Sequence, residues 1–438
     1  MNANAIKMEG SRLPLPNSTT RGRLDRLEFF FLAAAVFFSP INYLRIQTFY
    51  FTLSDALSCI CLCVMLFNRS ISVRPLSAAT PYWIVGLTML VGGLLVSSTV
   101  GGDGARGLVF VGQYIFAYIL LMFMIGDRPE EDVIKLVKIF IISIFVMCAH
   151  GIYVMDYVGE KNTAFVSGSG RLGGFVEREN QFAALTSLSI PFLFWYSSKR
   201  KLNPIITIFV LLVILYANTL TASNTGVGSA FLVMMIFFVA TITWWRLIIG
   251  AVSVTLVTLA AGTWGHEFLP DVFQRRVLGA VEAGDVTQAG TFDHRVELIH
   301  EAIGMTRETT FLGVGADQYI AHGNLGQQVH NTYLLLWVEG GLISTLGVVV
   351  MVCVGLYAAL SAARVKNGWI SAVCTFSVIA VFAIMMNALT HVYGRFYSVP
   401  LLLSMSISFS CVRAANERAT SFVRQRFRPR PQLGSLEG

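Results

Sequence analysis

Long apolar blocks separated by short polar stretches follow one another along the whole chain. Most blocks are about 17 to 25 residues long, the length of an α-helix that crosses a hydrocarbon core of about 30 Å. The predicted spans are residues 28–45, 51–68, 79–99, 105–126, 133–155, 180–197, 203–219, 225–243, 246–263, 332–360, 368–387 and 396–412. About twelve spans of this kind predict an all-α polytopic integral membrane protein.

The polar stretches divide the chain into regions. These are a tail (1–27), helices 1–9 (28–263), a long loop (264–331), helices 10–12 (332–412) and a second tail (413–438). The long loop contains a predicted amphipathic helix, "DHRVELIHEAIGMT", and a tight glycine turn, "FLGVGAD". A connection of this length usually carries function. We therefore expect the functional site in or beside this loop, together with the shorter loop 156–179.

Composition and charge support a membrane protein. Hydrophobic residues make up 55% of the chain and charged residues 13%, whereas a soluble protein carries about 25% charged residues. If the amino terminus is cytoplasmic, 22 of the 32 Lys and Arg residues lie on the cytoplasmic face, as the positive-inside rule requires. An even number of spans returns the carboxyl terminus to that face. We interpret the basic tails as topology signals and expect no nucleic-acid binding.

The residues that commonly bind metals are scattered. All seven cysteines fall in apolar runs, where small core residues are expected and no disulfide framework is implied. His294 and His300 are six positions apart, so they do not share one helix face, and no HExxH motif is present. We therefore expect no metal site.

A histidine stands where the long loop meets span 332–360, in the stretch "QQVHNTYLLLWVEGG". With an ordinary pKa near 6.5, His330 can accept a proton from an attacking hydroxyl; an interfacial anchor is the alternative. Glu339 lies about 180° further around an ideal helix, so we do not expect it to pair with His330. A glutamate in a membrane helix is unfavourable unless it is paired or faces water. We interpret Glu339 as a structural or cavity residue.

Four of the arginines on the predicted outer face are candidates for function, because the positive-inside rule places most positive charge on the other face. They are Arg171, Arg178, Arg295 and Arg395. Guanidinium groups match phosphate oxygens bidentately and stay charged. Arginines that converge near the lipid surface can therefore hold a lipid-linked pyrophosphate and stabilise it as a leaving group. For any single arginine, a headgroup contact or a solvated ion pair is the alternative.

Three motifs, in this order along the chain, resemble those of the O-antigen ligase and polymerase superfamily. The strongest ends the long loop, where "RVELI", "FLGVGADQYI" and "VHNTYLLLWVEGGLIST" resemble the family's arginine, glycine turn and His-Asn series. O-antigen ligases share the pattern His, Asn, nine residues, Gly, two residues, Gly-Thr. The corresponding residues, with serine in place of the second glycine, are His330, Asn331, Gly341, Ser344 and Thr345.

The other two motifs depart further from the family. "RLGGFVERENQFA" resembles a signature of an arginine, a glycine-containing turn and Asn-x-Phe-Ala, which places Arg171 and Asn180. "LTASNTGVGSA" resembles a Thr-x-Ser-Arg-Gly-like turn, in which Asn224 occupies the arginine position. Another cation should then supply the missing charge. Of Arg178 and Arg395 we favour the latter, because "THVYGRFYSVP" predicts an aromatic-flanked turn at headgroup depth.

The resemblance implies a metal-independent glycosyltransferase of the bacterial inner membrane that needs no cofactor and whose active site faces the periplasm. Its donor would be a glycan on undecaprenyl pyrophosphate, and its acceptor lipid A-core or another glycan. His330 would be the catalytic base, with Asn331, Asn180 and Asn224 in supporting positions.

Several activities stay open at this point. One dominant loop between helices 9 and 10 favours O-antigen ligation in lipopolysaccharide biosynthesis. A polymerase of O-antigen or exopolysaccharide is the alternative within the superfamily. A transporter or flippase of lipid-linked glycans is a third possibility. Transporters usually place their binding groups at the midplane between repeated halves, whereas the polar candidates here cluster on one face.

Overall fold

The structure, a computed structural model, describes residues 18–46, 50–241, 271–274 and 292–426. Its helices are α1 (Ser18–Phe38), α2 (Leu53–Asn68), α3 (Thr80–Val100), α4 (Gly104–Ile115), α5 (Leu121–Ile125), α6 (Glu130–Tyr153), α7 (Glu179–Ser198), α8 (Pro204–Leu220), α9 (Asn224–Ala240), α10 (Phe292–Thr306), α11 (Thr332–Ala363), α12 (Trp369–Met385) and α13 (Arg395–Arg426). Short helical turns occupy Ser77–Ala79, Phe116–Leu120, Val154–Val158, Gly174–Val176, Asp271–Phe273 and Tyr319–His322. Two short strands, β1 (Arg45–Ile46) and β2 (Phe51–Thr52), pair antiparallel.

The predicted helical class is confirmed. Within the described ranges, five segments are long and apolar enough to cross a membrane: Ser77–Val100, Gly104–Ile125, Glu130–Val158, Thr332–Ala363 and Arg395–Thr420. Four shorter apolar helices, α2, α8, α9 and α12, accompany them. The predicted span 246–263 lies outside the described residues, so twelve crossings stay a prediction. Helix α1 begins at Ser18 and α13 continues to Arg426, so helical structure extends into both predicted tails.

The longest predicted span is not one straight helix. Gly341, inside α11, has φ 74° and ψ 175°, a conformation that is essentially restricted to glycine. Beyond this break, the Thr345 hydroxyl donates to the carbonyl of Tyr333, twelve residues earlier, at 3.0 Å. A straight helix would separate these residues by about 18 Å, so the two segments fold back on each other. Residues 332–340 span only about 13 Å, whereas residues 342–363 span about 33 Å and can cross a membrane.

The glycine turn "FLGVGAD" supplies hydrogen-bond partners to the backbone at this break. Two main-chain hydrogen bonds join it to α11: Val314 N to Val338 O, 2.9 Å, and Gly315 N to Glu339 O, 2.9 Å. A third joins Leu342 N to the carbonyl of Thr310, just before the turn, at 3.0 Å. Backbone groups buried in a membrane protein need partners, and the turn supplies those that the broken helix lacks. Gly313 allows the close approach, because any Cβ there would collide with the backbone of Glu339.

Two apolar cores result from this arrangement. The large one lies within the bundle and draws on nearly all of its helices. The small one joins α10, the loop after it and the first segment of α11, and consists of Leu298, Ala302, Tyr319, Val329, Leu335 and Val338. The segment 332–340 therefore packs with the loop layer on one side and the bundle on the other.

The loops that contain the predicted site residues share one side of the molecule. Arg178, in the loop before α7, and His330, in the loop before α11, are close enough to interact electrostatically. We call this side the loop face. Ion pairs between helix ends mark the opposite face, among them Arg128–Glu28 at 2.5 Å and Lys199–Glu130 at 2.9 Å.

Candidate active site

His330 is half-buried and directly precedes the amino terminus of α11. The side chain of Asn331 caps this helix, accepting a hydrogen bond from the backbone N of Leu334 at 3.0 Å. Its amide group donates to Asn387 at 3.1 Å. Thr332 is bound to the loop after α12 by two further hydrogen bonds. The helix cap and these bonds fix the backbone on which His330 stands.

The surroundings of His330 favour its neutral form. Burial lowers the pKa of the ring, and the charges of Arg295, Arg178 and His294 lower it further. A pKa below the ordinary value of about 6.5 leaves the imidazole neutral at pH 7. Neutral imidazole can accept a proton, which is what a general base requires.

The charges of two arginines from different parts of the chain therefore act on His330. Arg178 is exposed at the N-cap of α7, and among the described residues no carboxylate forms an ion pair with it. Arg295 is half-buried in the first turns of α10. His294, beside it, is hydrogen-bonded to Gln327 at 3.1 Å, which ties α10 to the loop that carries His330. These guanidinium groups form a cationic surface next to a neutral base.

Arg171 occupies a junction of three elements. Its Nε donates to the carbonyl of Thr221 at 2.8 Å, and Nη2 donates to Asn180 at 3.4 Å. The Ser223 hydroxyl donates to the same Asn180 oxygen at 3.0 Å, and Glu179 lies 3.9 Å from Nη1. The structure thus brings the two weaker sequence motifs together. In this arrangement Arg171 fixes the loop before α7 to the turn between α8 and α9.

Asn224 is the first residue of α9 and is exposed. It follows Ser223, the N-cap, whose hydroxyl accepts from the backbone of Gly226 at 3.3 Å. The position that carries an arginine in the family pattern is therefore accessible here but uncharged. Of the two arginines considered as substitutes, the exposed one near His330 is Arg178.

Arg395 has a different environment from the one predicted. It is 4% exposed and forms an ion pair with Asp55, which is fully buried. Its Nη2 donates to Asp55 Oδ2 at 2.8 Å and its Nη1 to Gln113 at 2.7 Å, while the guanidinium stacks 5.0 Å from the ring centroid of Phe116. A guanidinium committed to a buried carboxylate is not available to an incoming phosphate. The geometry therefore does not support Arg395 as a pyrophosphate ligand.

The sequence model of the O-antigen ligase family matches residues 208–349, which include Arg295 and His330. Residues 208–349 are an O-antigen ligase-like domain. The resemblance predicted from the three motifs is thereby confirmed, and Arg171 and Arg178 precede the matched region. No curated protein matches the chain.

The glycine series of the O-antigen ligase domain shapes the break in α11. Gly341 is the residue at the break. Ser344, which stands where the family pattern has glycine, is fully buried and donates to the carbonyl of Leu90 at 2.9 Å. Thr345 makes the bond to Tyr333 that holds the two segments together. These contacts fix the fold of the segment that begins directly after His330.

Sequence reasoning missed one set of polar residues in the O-antigen ligase domain and its neighbours. Arg106 at the start of α4 donates to Asp317 Oδ2 through Nε at 2.8 Å and Nη2 at 2.7 Å. Gln328 donates to the other Asp317 oxygen at 3.2 Å. Asp317 has φ 62°, and Glu339, nearly fully buried, lies beside its backbone amide. The sequence feature that could have indicated this set is the aspartate in "GAD", because aspartate tolerates left-handed turns.

Two other histidines described on the loop face have separate environments. His322 bonds to Gln318 of its own turn at 3.0 Å. His391 packs against the rings of Phe110 and Tyr393, and burial lowers its pKa to about 4. Among the described residues, no three His, Cys, Asp or Glu side chains are grouped as a metal site requires.

Proposed function

We propose that this protein is a membrane glycosyltransferase that moves a glycan from undecaprenyl pyrophosphate to an acceptor hydroxyl. The observation that carries the proposal is the neutral His330 beside Arg178 and Arg295. His330 takes the proton of the acceptor hydroxyl while its oxygen forms a bond to the anomeric carbon. The bond from that carbon to the phosphate oxygen breaks, and its electron pair leaves with the pyrophosphate.

Arg178 and Arg295 are proposed to hold the pyrophosphate. Negative charge grows on the leaving phosphate as the glycosidic bond breaks, and guanidinium groups fixed beforehand stabilise that charge most strongly in the transition state. Arg178 takes the role of the family arginine that Asn224 lacks, because it is exposed and no described carboxylate neutralises it. Arg171 is proposed to act through the loop that it fixes, since its donors are engaged with Thr221 and Asn180.

The site is proposed to face the periplasm of a bacterial inner membrane, with both termini in the cytoplasm. The distribution of charge supports this orientation, since the loop face carries the minority of the basic residues. A donor whose lipid lies in the outer leaflet can then present its pyrophosphate at headgroup depth. Lipid A-core, which is anchored in the same leaflet, is the proposed acceptor.

Ligation of O-antigen to lipid A-core is the activity that we propose. The test is the lipid-linked glycan that accumulates in a strain lacking this protein. A ligase leaves full-length polymer on undecaprenyl pyrophosphate, whereas single repeat units would show a polymerase. Uptake of lipid-linked glycan into liposomes by the purified protein, without glycosyl transfer, would show a transporter and overturn the proposal.

Transfer is expected to continue unchanged in excess EDTA. The two arginines beside His330 supply the positive charge that a divalent ion would otherwise bring to the pyrophosphate. The measurement is the initial rate of glycan transfer by purified protein with and without chelator. Loss of activity on chelation, with recovery on adding back one divalent ion, would contradict this prediction.

The acidic limb of the pH profile should report His330. Because its pKa is lowered, the base is neutral at pH 7 and is lost only as the pH falls through that lowered pKa. The limb of kcat/KM for the donor should therefore have its midpoint below about 6.5. Arg178→Gln removes one of the charges that lower the pKa, so the midpoint should move to higher pH. An unchanged midpoint in Arg178→Gln would show that this arginine does not influence the pKa of His330.

A further inference from the structure

We propose that a chain of polar side chains on the loop face acts as a brace between the two loops of the site. The inference rests on the proposed function, since it concerns the spacing of Arg178 and His330. We call this set the loop brace, and its members, in order of contact, are Glu177, Arg45, Tyr50, Arg106, Asp317 and Gln328.

The first end of the loop brace lies next to Arg178. Arg45 Nη1 is 2.9 Å from Glu177 Oε2, and both side chains are largely buried. Asn42 donates to the same carboxylate oxygen at 3.2 Å. Glu177 has φ 74°, a strained conformation for a residue with a side chain. Because Glu177 directly precedes Arg178, this ion pair fixes the backbone that presents the exposed guanidinium.

The second end lies two residues before His330. Both Arg106 contacts go to one oxygen of Asp317, and Gln328 donates to the other. Asp317 has φ 62°. Its backbone amide also lies beside Glu339, in the first segment of α11. The carboxylate is thus shared between α4 and the loop that carries His330.

Tyr50 joins the two ends. The Arg45 guanidinium lies 5.4 Å from the centroid of the Tyr50 ring, and the Arg106 guanidinium lies 5.8 Å from it. Each cation is attracted to the electron-rich ring, and each is already paired with a carboxylate. The ring therefore connects two ion pairs that would otherwise be independent.

The loop brace includes three residues with strained backbone. Glu177, Tyr50 and Asp317 all have positive φ, at 74°, 51° and 62°. Residues with side chains stay in such conformations only where the surrounding contacts hold them, and these positions are common at functional sites. None of the brace residues is placed on the reacting groups. They are positioning residues, which set the distance between the pyrophosphate-binding arginine and the base.

The test is whether a substitution at the Glu177 end of the brace changes the loop at the Asp317 end. Glu177→Gln keeps the size of the side chain and removes its charge. It should increase hydrogen–deuterium exchange in residues 313–329, across the brace, lower kcat by about 10- to 100-fold and raise donor KM, because Arg178 and the base are then misplaced relative to each other. These effects should vanish when Glu177→Gln is added to Tyr50→Ala, because the connection is then already broken.

Two variants make the result specific. Tyr50→Phe keeps the ring and should retain most of the coupling. Glu130→Gln removes a comparable ion pair, with Lys199 at 2.9 Å on the opposite face, and should leave both exchange in 313–329 and kcat unchanged. If Tyr50→Ala does not fold, the coupling between Glu177→Gln and Asp317→Asn replaces it, and non-additive losses of kcat are expected.

Unchanged exchange in residues 313–329 of Glu177→Gln, with Tyr50 intact, would overturn the brace. Additive effects of Glu177→Gln and Asp317→Asn would do the same. A wild-type protein that shows the exchange coupling but transfers no glycan would instead contradict the proposed function, because exchange is measured without substrate.

Discussion

His330→Ala should fold and insert normally but lose transfer by about 10²- to 10⁴-fold, the usual contribution of a general base. The ring is half-buried, and no hydrogen bond within the described residues depends on it, so its removal leaves the cap of α11 in place. Donor binding should survive, because the pyrophosphate is held by the arginines. The measurement is kcat at saturating donor, together with donor affinity.

A matched histidine controls this prediction. His322 lies in the same loop, is exposed and bonds only within its own turn. His322→Ala should retain wild-type transfer. If His330→Ala kept wild-type kcat in a well-folded protein, His330 would be an interfacial anchor and another group would have to accept the proton.

Gly341→Ala should both destabilise the protein and abolish most transfer. The backbone at this position has φ 74°, and a Cβ would collide with the carbonyl of Phe311, which is main chain and cannot rotate away. Strain of this kind together with the collision should cost at least about 3 kcal/mol. Relief requires movement of residues 332–340, and hence of His330. Thermal unfolding in detergent and the transfer rate measure the two effects.

Gly92→Ala is the matched control for the glycine at the break. Gly92 lies inside α3, and no atom lies within 4 Å of a Cβ built there. Alanine is the better helix former, so this variant should be at least as stable as the wild type and fully active. If Gly341→Ala unfolded at the wild-type temperature, the break in α11 would tolerate a side chain and would not fix the position of His330.

The sequence predicted most of the described helices because lipid imposes a simple rule. Every backbone group in the membrane must be bonded within its own helix or by a neighbouring element, so an apolar run of sufficient length is a helix. The amphipathic pattern in the long loop likewise predicted α10, which spans Phe292–Thr306. His330 and Arg295 were predicted together from the family pattern, and the structure brings them into electrostatic range.

The break in α11 was not predictable from hydropathy. Residues 332–363 are apolar throughout, and periodicity does not record that Gly341 leaves the helical conformation. The break depends on partners elsewhere in the chain, since the loop around Gly313 must arrive to bond the freed backbone groups. The "EGG" within this span indicates where such a break is possible, but only packing decides that it forms.

The environment of Arg395 was also beyond the sequence, for a different reason. Its position after "THVYG" predicts an interfacial cation, and nothing nearby in the chain opposes that interpretation. The partner, Asp55, is 340 residues away and belongs to the second helix. The loop brace escaped prediction in the same way, because Arg45 and Tyr50, in the connection between α1 and α2, meet Arg106 of α4 only in the folded chain.

The pairing of Asp55 with Arg395 gives the order of synthesis a role in assembly. Asp55 enters the bilayer with α2, whereas its cation is the first residue of α13, the last helix. Asp55 lies in the first turn of α2 and also accepts a hydrogen bond from the backbone of Thr52, but a buried carboxylate that has lost its cation is strongly destabilising. Until the last helix arrives, α2 therefore has no stable place in the bundle. The ion pair can form only after both α2 and α13 have been made. We therefore expect a product truncated before α13 to be loosely packed and open to proteolysis.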